Sequence, residues 1–404
     1  MSESLVVIGN GMAAARFADE LAKRALGRYA VAIIGDEPRL AYNRVMLSSV
    51  LAGEATATEI ELRPASWWRE CGVTLCYGSA ATQVDLDGRT VTLASGRRLA
   101  FSKLVFATGS VPLRLNVPGA DLPGVMTFRD SRDVERMLAI AGDRRRVVVV
   151  GGGLLGLEAA YGLVKAGARV TLVHLMDRLM ERQLDAPAAQ LLRRLVEARG
   201  VEIILGASTS CVRGASVVEG VEFADGRCIH ADAVVFAAGI RPNIALAQSA
   251  GLTCGRGIVV DDGLATSAPD VFALGECADH RGICYGLVEP AYEQARVLAD
   301  RLAGGRSLYQ GSVVATNLKV SGVSVFSAGE FQCEDRSRVL AYSDPAKGVY
   351  KKLVLADGCL DGAVLVGDTR DALWYLDLIR TRRPIGGMRN ALMFGRALAD
   401  AEAA

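Results

Sequence analysis

Two copies of one short pattern constrain this chain more than any other feature. Near the start, Leu5-Val6-Val7-Ile8 runs into Gly9-Asn10-Gly11-Met12-Ala13-Ala14, an apolar strand followed by G-x-G-x-x-A. Val147-Val148-Val149-Val150 runs into Gly151-Gly152-Gly153-Leu154-Leu155-Gly156, the same pattern with glycine in third place. Each opens a helical stretch, Ala14 to Ala25 and Gly156 to Ala166. Each helix leads to another short apolar strand, Val31 to Ile34 and Arg169 to Val173. In such units the first glycine permits a tight turn, the second lets a diphosphate approach the backbone, and the third small residue lets helix and strand pack closely. The pyrophosphate then sits over unpaired N–H groups at the helix N-terminus. One copy alone is weak, because glycine-rich strand–helix turns also occur where nothing binds. Two copies in the same context predict two nucleotide-binding domains built on parallel sheets, an α/β fold.

The rest of the chain is organised around these repeats. Its 404 residues suit two or three domains. Val73 to Val91 alternates as strand, with turns at Gly78 and Asp87-Gly88. Leu104 to Ser110 is an apolar strand ending in a small-residue turn, and Pro112, Pro118 and Pro123 mark a linker. A matching strand, Ala233 to Gly239, precedes Ile240-Arg241-Pro242-Asn243. Beyond Ala303 come short β-like runs (Val323 to Phe326, Lys352 to Leu355, Ala363 to Val366) and a helix from about Asp371 to Arg380, a separate small α+β domain.

Composition removes several function classes. With 46 basic and 45 acidic residues there is no global electrostatic signal for nucleic acid. The N-terminus lacks the basic region of a secretory signal, and no apolar run approaches the ~18 residues of a membrane span. Nine cysteines in a chain of this length, none spaced C-x-x-C, make no disulfide scaffold, so a reducing cytoplasm is the expected setting. No spacing suits zinc or an iron–sulfur cluster, and no metal site is expected.

Five motifs in order (Gly9/Gly11/Ala14, Ala107-Thr108-Gly109, Gly151/Gly153/Gly156, Gly239 to Asn243, and Ala273-Leu274-Gly275-Glu276-Cys277-Ala278) resemble the flavoprotein reductases of the glutathione-reductase superfamily, which carry two dinucleotide-binding domains. The resemblance covers nearly the whole chain. It implies an FAD domain from 1–113 and 240–308, an NAD(P) domain from 114–239, and a C-terminal α+β domain from 309–404. Pro38 to Ser49, His174 to Asp185 and Thr316 to Val323 are similar to the N-terminal part of the NAD(P)H-dependent nitrite reductase large subunit, and to stand-alone electron-transfer subunits of nitrate and nitrite assimilation. Those nitrite reductases continue into iron–sulfur and sirohaem modules. A chain ending at Ala404 without them is expected to pass electrons on rather than reduce nitrite itself.

The resemblance assigns roles residue by residue. Gly9, Gly11 and Ala14 would take the FAD pyrophosphate, with Ala107, Thr108, Gly109 and Ser48 also among the cofactor-binding residues. Asp36 or Glu37 would accept hydrogen bonds from the adenosine ribose, and Arg44 would neutralise phosphate charge. Gly275 and Glu276 match the second FAD motif. Glu289-Pro290 falls at a helix N-terminus that would face the flavin ring. Gly151, Gly153 and Gly156 would serve the nicotinamide dinucleotide, with Glu158 as the catalytic glutamate near the nicotinamide, and Gly239 is also among the cofactor-binding residues. Two departures stand out. His174 holds the strand end where NADH enzymes often carry an acid, and Arg178 lies where NADPH enzymes show an arginine; NADH is favoured and NADPH left open. Ser49 replaces a lysine that pairs with the glutamate in several ferredoxin-reductase relatives.

The disulfide-reductase branch is disfavoured. Cys71 and Cys76 have C-x4-C spacing but flank a stretch that reads as strand, which would hold them roughly 16 Å apart on opposite faces. Cys277 and Cys284 lie near the second FAD motif without a redox spacing. With no internal dithiol, the expected chemistry is hydride transfer from NAD(P)H to flavin and release of electrons to an external redox protein. The arginines between Leu378 and Arg396 (Arg380, Arg382, Arg383, Arg389, Arg396) form either a solvated helix end or a surface that steers an acidic partner. Direct reduction of oxygen or peroxide is a competing reading, disfavoured because residues 42–49 contain no cysteine. A non-catalytic dinucleotide sensor is another, disfavoured because both cofactor sites look complete. A homodimer is left open.

Overall fold

In chain order the main elements are β1 (Glu3–Ile8), α1 (Met12–Ala25), β2 (Tyr29–Gly35), β3 (Thr74–Tyr77), β4 (Lys103–Phe106), β5 (Val125–Thr127), β6 (Arg146–Val150) and α2 (Leu154–Lys165). They continue with β7 (Arg169–Val173), α3 (Ala186–Glu197), β8 (Val201–Ile204), β9 (Ala233–Phe236), β10 (Val271–Ala273) and α4 (Val288–Leu302). The last are β11 (Ala315–Val320), β12 (Val323–Gly329), β13 (Val339–Asp344), β14 (Val349–Ala356), β15 (Cys359–Val366) and α5 (Ala372–Thr381). The computed structural model describes residues 2–403 except 143, 321 and 334, and only the backbone of 317–320, 336, 402 and 403. The chain divides into two units, one of Met1–Leu47, Ala55–Val111 and Ile240–Ser312, the other of Ser48–Glu54, Pro112–Gly239 and Val313–Ala404.

The first unit is built on a parallel sheet of order β10-β4-β1-β2-β3. Leu5 to Ile8 are all buried, the uninterrupted apolar run expected of a parallel strand covered on both faces. Helix α1 packs against α4. Strand β1 has β2 on one side and β4 on the other, so the strand order reverses at its carboxyl end. In open parallel sheets that crevice is where ligands bind.

The second unit repeats the plan with a parallel sheet of order β8-β7-β6-β9-β5, whose β6 is flanked by β7 and β9. It also contains the C-terminal antiparallel sheet, of order β11-β12-β15-β14-β13. Helix α5 packs on β12 and β15 over Phe326, Leu353, Leu365, Tyr375 and Leu378. A buried polar cluster ties α3 to β14. Asp185 caps α3 by accepting the Ala188 N–H at 3.3 Å, accepts the Tyr350 hydroxyl at 2.7 Å, and lies 3.4 Å from the Lys352 ammonium.

Two readings from sequence need correction. Cys71 is not on a strand: Ala65–Glu70 is a helix, Cys71 caps it, and Gly72 turns the chain with φ +69° before β3 begins at Thr74. The apolar pair Trp67-Trp68 supplies the buried face of that helix, and Cys76 alone lies in β3. In the C-terminal sheet, the runs expected as strands lie in β12, β14 and β15, but β11 and β13 were not foreseen. Both are edge strands, and β13 is largely exposed, so it carries no apolar alternation to read. No helix among the described residues is long and apolar enough to cross a membrane.

Tyr350→Phe is expected to destabilise the second unit by about 1–2 kcal/mol, because a buried carboxylate loses one donor. Differential scanning calorimetry would show a lowered midpoint; an unchanged one would mean the hydroxyl contributes nothing.

Candidate functional site

Each unit presents the same construction at its strand-order reversal. In the first, Gly9 follows β1 with φ +118°, and a Cβ there would stand 2.1 Å from the Ala107 carbonyl oxygen at the end of β4. The Gly9 N–H donates to Ile34 O, and the Ala107 N–H to Ile8 O, both at 2.8 Å. In the second, Gly151 follows β6 with φ +129°, and a Cβ would lie 2.3 Å from the Ala237 carbonyl oxygen at the end of β9. The Gly151 N–H donates to Val173 O at 2.8 Å and the Ala237 N–H to Val150 O at 2.9 Å. Only glycine satisfies both the left-handed φ and the close approach.

The following helices begin without side-chain caps. Gly11 heads α1 and Gly153 heads α2, and neither cap position supplies a side-chain acceptor to the first-turn N–H groups. A Cβ at Gly11 or Gly153 would meet nothing within 4 Å. Ala14 is wholly buried, and a Cβ at Gly156 would stand 1.8 Å from Gly151 O. Thus the third position of each pattern is set by packing and the second by open space over free N–H groups, which fits a diphosphate. Asn10 adds an orphan: its Nδ2 donates to Arg39 O at 3.1 Å, while its buried Oδ1 has no partner among the described residues.

Several other expected residues of the first unit pair with one another. Thr108 donates its hydroxyl to Asn243 O at 2.6 Å, and the Asn243 N–H donates to Gly109 O at 2.9 Å, so two of the sequence motifs are joined. Glu276 accepts the Ser110 hydroxyl at 2.8 Å. Gly275, with φ +81°, donates its N–H to Gln294 Oε1 at 2.7 Å. Gln294 is fully buried, its Nε2 without a partner among the described residues, and sequence reading missed it, because one glutamine on an amphipathic helix carries no pattern. Asp36 is exposed, whereas Glu37 accepts the Tyr42 hydroxyl and pairs with Arg44, each at 2.7 Å. Glu289 lies in the first turn of α4, 3.5 Å from Arg296, and Pro290 beside it is buried. Ser48 opens the segment that belongs to the second unit.

In the second unit, Glu158 lies in the first turns of α2 and is buried. Burial, with no hydrogen bond or nearby charge offsetting it among the described residues, pushes its carboxyl up to about 8. Gly239, with φ +130°, accepts the Leu113 N–H at 2.9 Å. His174 follows β7 and touches the loop, its Nδ1 accepting the Gly152 N–H at 2.9 Å. Its Nε2 lies 3.1 Å from Glu181 Oε2, a contact nothing in the sequence flagged. Arg178 pairs with Asp177 at 3.3 Å. All nine cysteines are free. Burial raises the Cys277 thiol and pushes Cys284 up to about 11, so neither rests as a thiolate.

The arginine run near the C-terminus is partly neutralised by acids from outside it. Arg382 lies 3.4 Å from Asp361, and Arg396 lies 3.2 Å from Asp400. In the third stretch of resemblance, Ser321 lies outside the described residues.

A profile described as pyridine nucleotide-disulphide oxidoreductase matches residues 3–300. The chain belongs to the pyridine nucleotide-disulphide oxidoreductase family. A second profile, the rubredoxin NAD+ reductase C-terminal domain, matches residues 315–383 of this oxidoreductase. It is 43% identical over 95% of its length to a nitrite reductase [NAD(P)H] of Bacillus subtilis, and 42% identical over 95% to the assimilatory nitrate reductase electron transfer subunit of the same organism. It spans about half the length of these two relatives, 48% and 50%. A crystal structure of the covalent putidaredoxin reductase–putidaredoxin complex superposes with a TM-score of 0.84 at 28% identity, covering 95% of this chain and 94% of that one.

The loop geometry separates two glycines of one motif. Gly156→Ala should destabilise the oxidoreductase by about 2 kcal/mol or more through overpacking, while Gly153→Ala should leave thermal stability nearly unchanged and weaken dinucleotide binding. Equal melting shifts for the two variants would contradict this.

Glu158 gives a pH test. Its native pKa of about 8 lies above the ordinary 4.5, so the folded protein retains a proton that the unfolded chain releases. This contribution is fully present below 4.5 and is lost as pH rises toward 8, a few kcal/mol in all. In the nucleotide-free protein, Glu158→Gln should therefore flatten the decline in stability across this window. Parallel melting curves for wild type and variant from pH 5 to 8 would refute the shift.

Proposed function

We propose that this chain is an FAD-dependent oxidoreductase that draws electrons from NADH, with NADPH a possible donor, and delivers them to a separate redox protein. The acceptor class we favour is a component of nitrite or nitrate assimilation, or a rubredoxin- or ferredoxin-type carrier, in a reducing cytoplasm. The observation that carries the reading is the duplicated loop, one uncapped helix N-terminus per unit with open space over the second glycine. Domain limits of 1–113 with 240–308, 114–239 and 309–404 go with this proposal.

Gly9, Gly11 and Ala14, backed by Ala107, Thr108 and Gly109, would hold the FAD pyrophosphate. Asp36, Glu37, Arg44, Ser48, Gly275, Glu276, Glu289 and Pro290 would serve the same cofactor. Gly151, Gly153, Gly156, His174, Arg178 and Gly239 would hold the nicotinamide dinucleotide. When bound, FAD supplies two-electron acceptance from a nicotinamide and release to a carrier. The chain's own contribution is positioning and charge. Gly11 and Gly153 aim N–H dipoles at phosphate, and Glu158 holds a proton on a buried carboxyl near neutral pH. The free cysteines, with no C-x-x-C spacing and thiols raised by burial at Cys277 and Cys284, offer no dithiol relay, which favours an external acceptor.

The test is anaerobic titration of FAD-loaded protein with NADH and then NADPH, followed in the visible flavin band. Bleaching by about one equivalent of NADH, slow reoxidation in air and fast reoxidation by an added rubredoxin or ferredoxin are expected. Rapid reoxidation by oxygen alone would turn the reading toward an oxidase. No bleaching by either nucleotide would leave a sensing role.

A further inference from the structure

In a dinucleotide loop of this type, the residue at the end of the following strand, about 20 positions on, meets the adenosine ribose: an acid accepts the 2′-hydroxyl, an arginine receives a 2′-phosphate. Here that residue is His174, which supplies neither a carboxylate nor a guanidinium. We propose that Glu181, held in place by His174, is the acid that selects NADH over NADPH, an inference that rests on the nicotinamide reading of the second loop.

The geometry fixes Glu181 to the loop by two routes. His174 lies so close that a Cβ at Gly152 would stand 2.5 Å from its Cγ. The Gly152 N–H donates to His174 Nδ1 at 2.9 Å, so Nδ1 carries the lone pair and Nε2 the hydrogen. That hydrogen is directed to Glu181 Oε2 at 3.1 Å. On its other side, the Gly152 carbonyl accepts the N–H of Met180 at 3.0 Å. Met180 is fully buried and adopts φ +49°, a strained conformation for a side-chain-bearing residue. Both polar groups of Gly152 are therefore held by the excursion 174–181, which returns a carboxylate to the strand end seven residues after the sequence would place it.

The chemistry follows from charge. A carboxylate beside the ribose accepts a hydrogen bond from a 2′-hydroxyl and repels a 2′-phosphate, so it rewards one nucleotide and penalises the other. Arg178, the cation best placed in sequence to receive a 2′-phosphate, reaches the exposed Asp177 with Nη1 at 3.3 Å, while its buried Nε has no partner among the described residues. Glu181 remains partly exposed, with 24% of its side chain accessible, so it can meet a ligand. His174 is a positioning residue in this scheme: it orients Glu181 and closes on Gly152.

The experiment is calorimetric titration of the FAD-loaded protein with NAD+ and NADP+, for wild type, Glu181→Gln, Glu181→Ala, His174→Ala, the His174→Ala/Glu181→Ala double variant and Arg178→Gln. Wild type should bind NAD+ at least about tenfold more tightly. Glu181→Gln should narrow the ratio about tenfold, chiefly by strengthening NADP+, and Glu181→Ala should weaken NAD+. His174→Ala should narrow the ratio as well, with the double variant no worse than Glu181→Ala, because the histidine acts through the glutamate. Arg178→Gln should weaken NAD+ and NADP+ alike, because Arg178 would hold the dinucleotide without choosing between the two. A ratio that moves less than about twofold in Glu181→Gln, a wild-type preference for NADP+, or loss of NADP+ binding confined to Arg178→Gln would each overturn the assignment while leaving the nicotinamide site intact. If wild type binds neither nucleotide, the nicotinamide reading falls and takes this inference with it.

Discussion

The structure depends on one close approach made twice. At Gly9 and again at Gly151, the backbone turns out of a central strand directly beneath the carbonyl oxygen of an alanine ending the neighbouring strand. A side chain at either position would displace Ala107 or Ala237, part the two strands, and shift the start of the helix that follows. The helix start matters because its N–H groups are the binding surface, and they remain free for a ligand only while no side chain caps them. Sheet order, glycine conformation and anion cradle are thus parts of one arrangement.

Around this frame, burial does most of the electrostatic tuning. Glu158 keeps a proton near neutrality because it is removed from water without compensation, and Cys277 and Cys284 resist ionisation for the same reason. A protonated carboxyl and two thiols that resist ionisation are compatible with the proposed flavin and nicotinamide chemistry. All nine cysteines are free, and burial holds at least Cys277 and Cys284 in the thiol form. Where a buried carboxylate is compensated, as at Asp185 with Tyr350 and Lys352, it serves to join a helix to the C-terminal sheet.

Much of the fold was legible because parallel strands buried on both faces must be continuously apolar. Leu5 to Ile8 and Val147 to Val150 could be read as strands without any tertiary knowledge. The edge strands Ala315–Val320 and Val339–Asp344 were not legible, since one side of each lacks a partner and their sequences are free to be polar. The stretch around Cys71 misled because helix cap, glycine turn and strand follow one another within a few residues, and local apolar content does not distinguish them.

By itself the sequence determined the two strand–loop–helix units, the glycines that each requires, and the absence of a C-x-x-C pair, because these are set by short-range sterics and covalent spacing. Only the tertiary structure decided which polar groups meet. Gln294 reaches Gly275, Ser110 reaches Glu276, and Glu181 returns to His174 because separate strands and loops converge at one end of a sheet. Hydrogen-bond partners across such distances leave no periodicity in a chain, and burial, which sets the proton on Glu158, is a property of the packed volume rather than of any local run of residues.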